Sequence, residues 1–183
     1  MIKNFNEFMN ESHSDVSNNK KGYKPKDKKD LEKILEQLIE ERGDDGDFND
    51  IDTSSITDMS FLFDKKKRFN GDISDWDVSH VENMRGMFYG AESFNQNIEN
   101  WDVSKVKNMC GMFAFAKEFN QPLEKWDVSN VENMSGMFYH AKSFNQPIDK
   151  WNVKHVKWTD AMFAGAVSFD QSLKNWDIFK ERK

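Results

Sequence analysis

The chain has 183 residues, which is enough for one domain of ordinary size. Hydrophobic residues form 37% of it, and 16 Phe, 6 Trp and 10 Met allow a sizeable core despite a mean hydropathy of -0.86. The net charge of -6 argues against binding to nucleic acid or to an anionic membrane, because phosphate groups need a basic face. The single cysteine, Cys110, excludes an intramolecular disulfide framework.

The N-terminal region predicts a tail without a sorting signal. The segment MIKNFNEFMNES lacks the apolar run of a signal peptide, and no stretch approaches the roughly 18 apolar residues of a membrane span. We therefore expect no membrane insertion and, by default, a cytoplasmic location. Residues 10–29 contain only Val16 and Tyr23 as large apolar groups, so we interpret residues 1–29 as a flexible tail and linker.

A capping helix and an acidic loop are predicted for residues 30–50. Leu31, Ile34, Leu35, Leu38 and Ile39 recur at spacings of three and four, which places them on one face of a helix that should end near Gly43.

From residue 51 to residue 183 the chain repeats with a period of 25 residues. Phenylalanine, methionine, valine and alanine keep the same step as the tryptophans, which lie at Trp76, Trp101, Trp126, Trp151 and Trp176. Such a period indicates stacked units, none of which can bury its apolar face alone.

Each unit is predicted to contain a short helix followed by a short extended segment. Val81, Met84, Met87, Phe88 and Ala91 share one helical face, and Ser79 with Glu82 has the spacing of a capping box. The sequence therefore predicts an α/β repeat solenoid of five 25-residue coils behind an N-terminal capping helix.

The unit motif resembles a known family. NMxxMFxxAxxFNQxIxxWDVSxV, as in residues 108–131, closely resembles the BspA-like leucine-rich repeats, also described as the bacterial surface protein 26-residue repeat. The segments DFNDIDTSSITDMSFLF and YKPKDKKDLEKILEQLIEERG resemble the first repeat and the capping helix of that family. This resemblance implies a leucine-rich-repeat-type fold and a role in binding or adhesion, without specifying a ligand.

The recurrent polar residues are interpreted as structural residues and not as a binding site. We interpret Asn70, Asn95, Asn120, Asn145 and Asp170 as a ladder that pairs backbone groups from coil to coil. The acidic run at 44–52 lacks the glycine and glutamate of a calcium loop, and the Arg42-Gly43-Asp44 tripeptide fits a helix end.

No catalytic, metal or cofactor site is predicted. The four histidines, His13, His80, His140 and His155, have no ligand spacing, and no nucleotide or hydrolase motif occurs. We expect a protein that is not an enzyme and carries no cofactor.

Residues that differ among coils are the candidates for partner recognition, because the invariant ones are committed to folding. In the segment before each tryptophan they lie in register. The candidate partner-binding face consists of Asn97, Glu99, Asn100, Glu124, Lys125, Asp149, Lys150 and Lys174.

These observations predict a non-enzymatic protein-interaction module with a protein partner. The alternative is a phage virion-associated or packaged protein, because MIKNFNEFMNE resembles the short N-terminal capsid-targeting peptides of T4-like phages.

Overall fold

The computed structural model describes residues 22–177. Its α-helix, α1, spans Lys28–Arg42 and buries Leu31, Ile34, Leu35 and Leu38 in the core. The Asp27 side chain caps the N-terminus by accepting from the Asp30 N–H, and Gly43, with a φ of 81°, follows the last turn. A helix therefore lies where the apolar spacing predicts one.

The linker prediction is wrong for residues 22–29. Gly22 N–H donates to Asp50 O, Tyr23 forms a parallel bridge with Ile51, and α1 already begins at Lys28. The half-buried Tyr23 ring also packs on the core and against the Arg42 guanidinium, and these contacts order a segment of low hydrophobicity. The rest of the predicted tail, residues 1–21, lies outside the described residues.

The repeat divides into five units, each ending at a tryptophan: unit 1 (52–76), unit 2 (77–101), unit 3 (102–126), unit 4 (127–151) and unit 5 (152–176). Neighbouring units are joined by single-residue parallel bridges at one position per unit, Asp58, Asn83, Asn108, Asn133 and Trp158. Further bridges join Tyr23 to Ile51 and Asp47 to Asp72.

The predicted helix in each unit is wrong. In unit 2 the N–H groups of Met84, Gly86, Phe88 and Gly90 donate to carbonyls of unit 3, at 2.8–2.9 Å, instead of to their own turn. The intervening Met87, Tyr89 and Ala91 donate three residues back, so the segment is a series of turns. Left-handed residues such as Gly86 and Gly90, with φ of 58° and 69°, make this alternation possible. Among residues 22–177, α1 is the one α-helix.

The predicted extended segment also differs from expectation. The parallel bridges fall at Asn83 and its equivalents, within the predicted helix, whereas the segment from Phe94 to Trp101 has no bridge and ends in a turn. The predicted capping box is absent too, because Ser79 donates to its neighbour Asp77 through both its N–H and its hydroxyl.

Two columns of stacked phenylalanines form the centre of the core. In one column, Phe63, Phe88, Phe113, Phe138 and Phe163 follow one another at 5.4–5.7 Å between ring centroids. In the other, Phe69, Phe94, Phe119, Phe144 and Phe169 follow at 5.9–6.1 Å. Neighbouring units therefore stack their rings on one another.

The tryptophans join each unit to the one before it. The Trp126 Nε1–H donates to Ile98 O at 3.0 Å, and the other four make the same bond to a carbonyl 28 residues earlier. All five are at most 5% exposed, so they are core residues. None of the helices in the described part of the chain could span a membrane.

Candidate partner-binding row

The eight candidate residues lie in, or in the case of Asn97 directly before, equivalent turns of successive units. Each turn immediately precedes a tryptophan. The backbone N–H of that tryptophan closes the turn by donating to the carbonyl three residues earlier, as Trp101 N–H does to Ile98 O at 3.1 Å. We call this set the turn row: Asn97, Glu99, Asn100, Glu124, Lys125, Asp149, Lys150 and Lys174. Six of them are exposed, and Glu99 and Asp149 are half-buried.

Charged side chains within the turn row contact one another across units. The Lys125 ammonium lies 3.1 Å from the Glu99 carboxylate and 3.5 Å from Asn100 Oδ1. Lys150 makes the equivalent ion pair with Glu124, whose hydrogen bond and charge raise the pKa of Lys150. The structure thus brings units 2, 3 and 4 together in one charged surface.

The remaining members of the turn row extend it towards unit 5. Asp149 Oδ2 accepts from the Asn175 amide at 3.1 Å, while Asn97 Oδ1 accepts from the Glu99 N–H at 3.0 Å and so shapes its own turn. Lys174 is exposed, and its N–H donates to Ser172 Oγ at 3.4 Å. The row therefore combines carboxylates, ammonium groups and amides rather than one sign of charge.

The recurrent asparagines have the structural role that the sequence predicts. Asn95 N–H donates to Asn70 Oδ1 at 2.9 Å, and the bond recurs through Asn120 and Asn145 to Asp170. Glutamine amides reinforce this ladder, as when Gln121 Nε2 donates to Asn95 Oδ1 at 3.0 Å. These amides pair with neighbouring units, so they belong to the scaffold of the repeat.

A second charged row lies outside the eight predicted candidates. Glu82 pairs with Lys107 at 2.7 Å, and Glu132 pairs with Lys157 at 2.8 Å. Hydrogen bonds and charge from these lysines lower the pKa of both glutamates. The sequence signal for this row is the alternation of Glu and Lys at a spacing of 25 residues.

The acidic loop is engaged in protein contacts. Arg42 donates through both terminal nitrogens to the Asp50 carboxylate at 2.8 Å, which raises the pKa of the guanidinium, and Asp44 lies 3.1 Å from Arg68. The Arg42-Gly43-Asp44 tripeptide is therefore held by two ion pairs at a helix end, in agreement with its structural interpretation.

The described histidines lie apart, in separate units. The His80 ring contacts Ser79, His140 stacks on Phe115, and His155 Nδ1 lies 2.7 Å from Ser129 O. His13 lies outside the described residues, as does the phage-like peptide of residues 1–11. Within residues 22–177, no three His, Cys, Asp or Glu side chains converge as a metal site would require.

Comparison with known proteins gives one family. A family model described as "Mycoplasma protein of unknown function, DUF285" matches two overlapping segments, residues 29–133 and 96–183. The overlap is consistent with a repeat protein. No curated protein and no solved structure matches the chain significantly.

Proposed function

The chain belongs to the DUF285 family, described as Mycoplasma proteins of unknown function, and we propose that it is a non-enzymatic protein-interaction module built on a BspA-like, leucine-rich-repeat-type solenoid. The bonds between units at 25-residue intervals and the unit motif support this fold class. The turn row is the proposed contact surface for a protein partner.

The distribution of polar groups carries this proposal. The repeated asparagines, glutamines and tryptophans donate to or accept from neighbouring units, and no buried side-chain polar atom in the described residues lacks a partner. Side chains of the turn row vary from unit to unit and remain at the surface. A repeat scaffold that presents variable side chains in register is the usual design of a binding solenoid.

Exchange of charges within the row tests the contact surface. In the double variant Glu124→Lys/Lys150→Glu the ion pair inside the protein can re-form, but the order of charges presented to a partner is reversed. We expect affinity purification of the intact chain from its native host to recover a protein partner with the wild type and to lose it with this variant.

The matched control is Glu132→Lys/Lys157→Glu, which makes the same exchange in the second charged row. This variant should retain the partner. Equal capture by both variants, or equal loss, would exclude the turn row as the contact surface. Thermal unfolding of both variants verifies that the fold is intact.

A further inference from the structure

Unit 5 has an apolar edge that no other described residue covers. Phe169 and Leu173 are half-buried, whereas the equivalent Phe144 and Ile148 in unit 4 are fully buried beneath unit 5. Phe163 is also half-buried, although its counterparts Phe63 to Phe138 are at 0% exposure. The edge therefore exposes rings that stack on a further unit everywhere else in the repeat.

The polar ladder is likewise open at this edge. The Oδ1 atoms of Asn70, Asn95, Asn120 and Asn145 each accept a backbone N–H from the next unit. Among the described residues, Asp170 Oδ1 accepts only from the side chain of Gln171, at 3.2 Å. A chain segment that lies here could donate one N–H to this carboxylate.

The N-terminal segment carries the matching sequence. Phe5-Asn6-Glu7-Phe8-Met9 has the pattern Phe-Asn-x-x-aliphatic that recurs as Phe94-Asn95-Gln96-Asn97-Ile98 and at the same place in units 1 to 4, whereas unit 5 has Asp170 in place of the asparagine. The likeness ends before the tryptophan position, where Ser12 stands. Phe5 would continue the column at Phe169, Met9 would cover Leu173, and the Asn6 N–H would reach Asp170.

The segment is also long enough to reach the edge of its own molecule. Gly22 N–H donates to Asp50 O at 2.6 Å, which places the start of the described chain beside the turn at residues 49–50, before unit 1. The distance from the turn at Asp50 to the position beyond unit 5 is six unit spacings, or about 29 Å at ~4.8 Å per spacing. Residues 10–21, when extended, cover about 40 Å at ~3.3 Å per residue.

A second copy of the array is a poorer occupant. The opposite end of the repeat is covered by α1, whose Lys28 donates to Ser60 at 2.9 Å and whose apolar face is buried. A head-to-tail contact between two copies would have to displace this helix. We propose that residues 5–9 dock intramolecularly on the edge formed by Phe169, Asp170 and Leu173, as an additional partial unit.

Hydrogen exchange of the full chain tests the docking. Phe5→Ser should increase the exchange rate of amides in residues 166–175 by about tenfold, corresponding to ~1.4 kcal/mol of lost docking free energy. Phe8→Ser is the matched control, because Phe8 occupies the position of the exposed Asn97 and should leave exchange unchanged. Equal effects of the two substitutions, or no effect of either, would overturn the proposal.

Cysteine pairing tests the register independently. In a Cys110→Ser background, Met9→Cys with Leu173→Cys should form an intramolecular disulfide about tenfold faster than Phe8→Cys with Leu173→Cys. Similar rates, or only intermolecular products, would contradict the docked arrangement. A variant that ends at Asp177 tests the competing occupant, residues 178–183. If this truncation increases exchange at the edge and Phe5→Ser does not, residues 178–183 cover the edge and the proposal fails.

Discussion

Two residues in each unit have a left-handed backbone conformation. The conformational strain at these positions depends on whether the residue is glycine. The first position holds Phe61, Gly86, Gly111, Gly136 and Ala161, and the second holds Lys65, Gly90, Phe115, His140 and Gly165. Glycine adopts this conformation without steric penalty, whereas a residue with a Cβ is strained by roughly 1–2 kcal/mol. Phe115 and His140 offset part of this strain by stacking on each other with centroids 5.2 Å apart.

Ala161 has the same left-handed backbone strain, but its methyl side chain cannot offset the strain by stacking. It is exposed and has a φ of 54°, so Ala161→Gly should raise the free energy of unfolding by about 0.5–1 kcal/mol after the larger entropy of the unfolded glycine chain is subtracted. Urea titration measures the change. The matched control, Ala164→Gly, alters an exposed alanine outside the left-handed positions and should lower stability by roughly 0.5–1 kcal/mol. A loss of stability in both variants would contradict the strain at Ala161.

At the scale of the unit, stability depends on the interface with its neighbours. One unit contributes two stacked phenylalanines, for example Phe113 and Phe119 at 4.0 Å, and each ring contacts its counterparts before and after it. Backbone N–H groups, asparagine amides and the indole N–H also cross the same boundary. A unit alone would therefore expose both its rings and its polar groups.

Substitution of one buried tryptophan measures its contribution to the interface between two units. Trp126→Phe loses the bond to Ile98 O and leaves space in the core, so we expect a loss of about 1–3 kcal/mol in the free energy of unfolding. Trp158→Phe is the control, because Trp158 is 48% exposed and should change stability by less than about 0.5 kcal/mol. Chemical denaturation compares the two variants, and equal losses would show that the indole bond contributes little.

At the scale of the whole molecule, carboxylates paired between or within units make stability depend on pH. Hydrogen bonds from Lys107 and Lys157 lower the pKa of Glu82 and Glu132, and a hydrogen bond from Ser104 lowers that of Asp102. A carboxyl group whose folded pKa is below its unfolded value stabilises the protein above the unfolded pKa. This stabilisation is lost as the pH falls through the folded pKa.

We therefore expect the unfolding temperature to fall as the pH decreases from about 5 to about 3, on either side of the ordinary pKa of ~4.3 for glutamate. The double variant Glu82→Gln/Glu132→Gln should make this decrease shallower. Calorimetry at several pH values measures the slope. An unchanged slope in the variant would exclude the second charged row as a source of the pH dependence.

Individual residues show how far the sequence predicts this molecule. Leu31 to Leu38 predict α1 because an isolated helix with one apolar face has a simple local pattern. The spacing of Val81, Met84, Met87 and Phe88 also fits a helix, but Gly86 and Gly90 interrupt it, and their left-handed conformations redirect the backbone towards the next unit. Those glycines were the available signal against a helix.

The turn row was predictable as a set because register follows from the period. Its internal pairing was not, since Lys125 contacts Glu99 and Asn100 in the preceding unit, at a sequence distance of 25 or 26 residues. A contact at that distance is visible in a sequence only when the units are aligned. The alternating Glu82, Lys107, Glu132 and Lys157 become complementary in that alignment.

The constant offset of the contacts between units also limits how the gene can change length. Deletion of residues 101–125 would join Asn100 to Trp126. Each later residue would then occupy the position of its counterpart one unit earlier, and the contacts between units would be kept. Deletion of one codon more or fewer would shift the residues after the junction by one position, so that Asn145 or Ser143 would lie opposite Phe94 in place of a phenylalanine. Duplication and loss of whole 25-codon blocks are thus the length changes that this architecture tolerates.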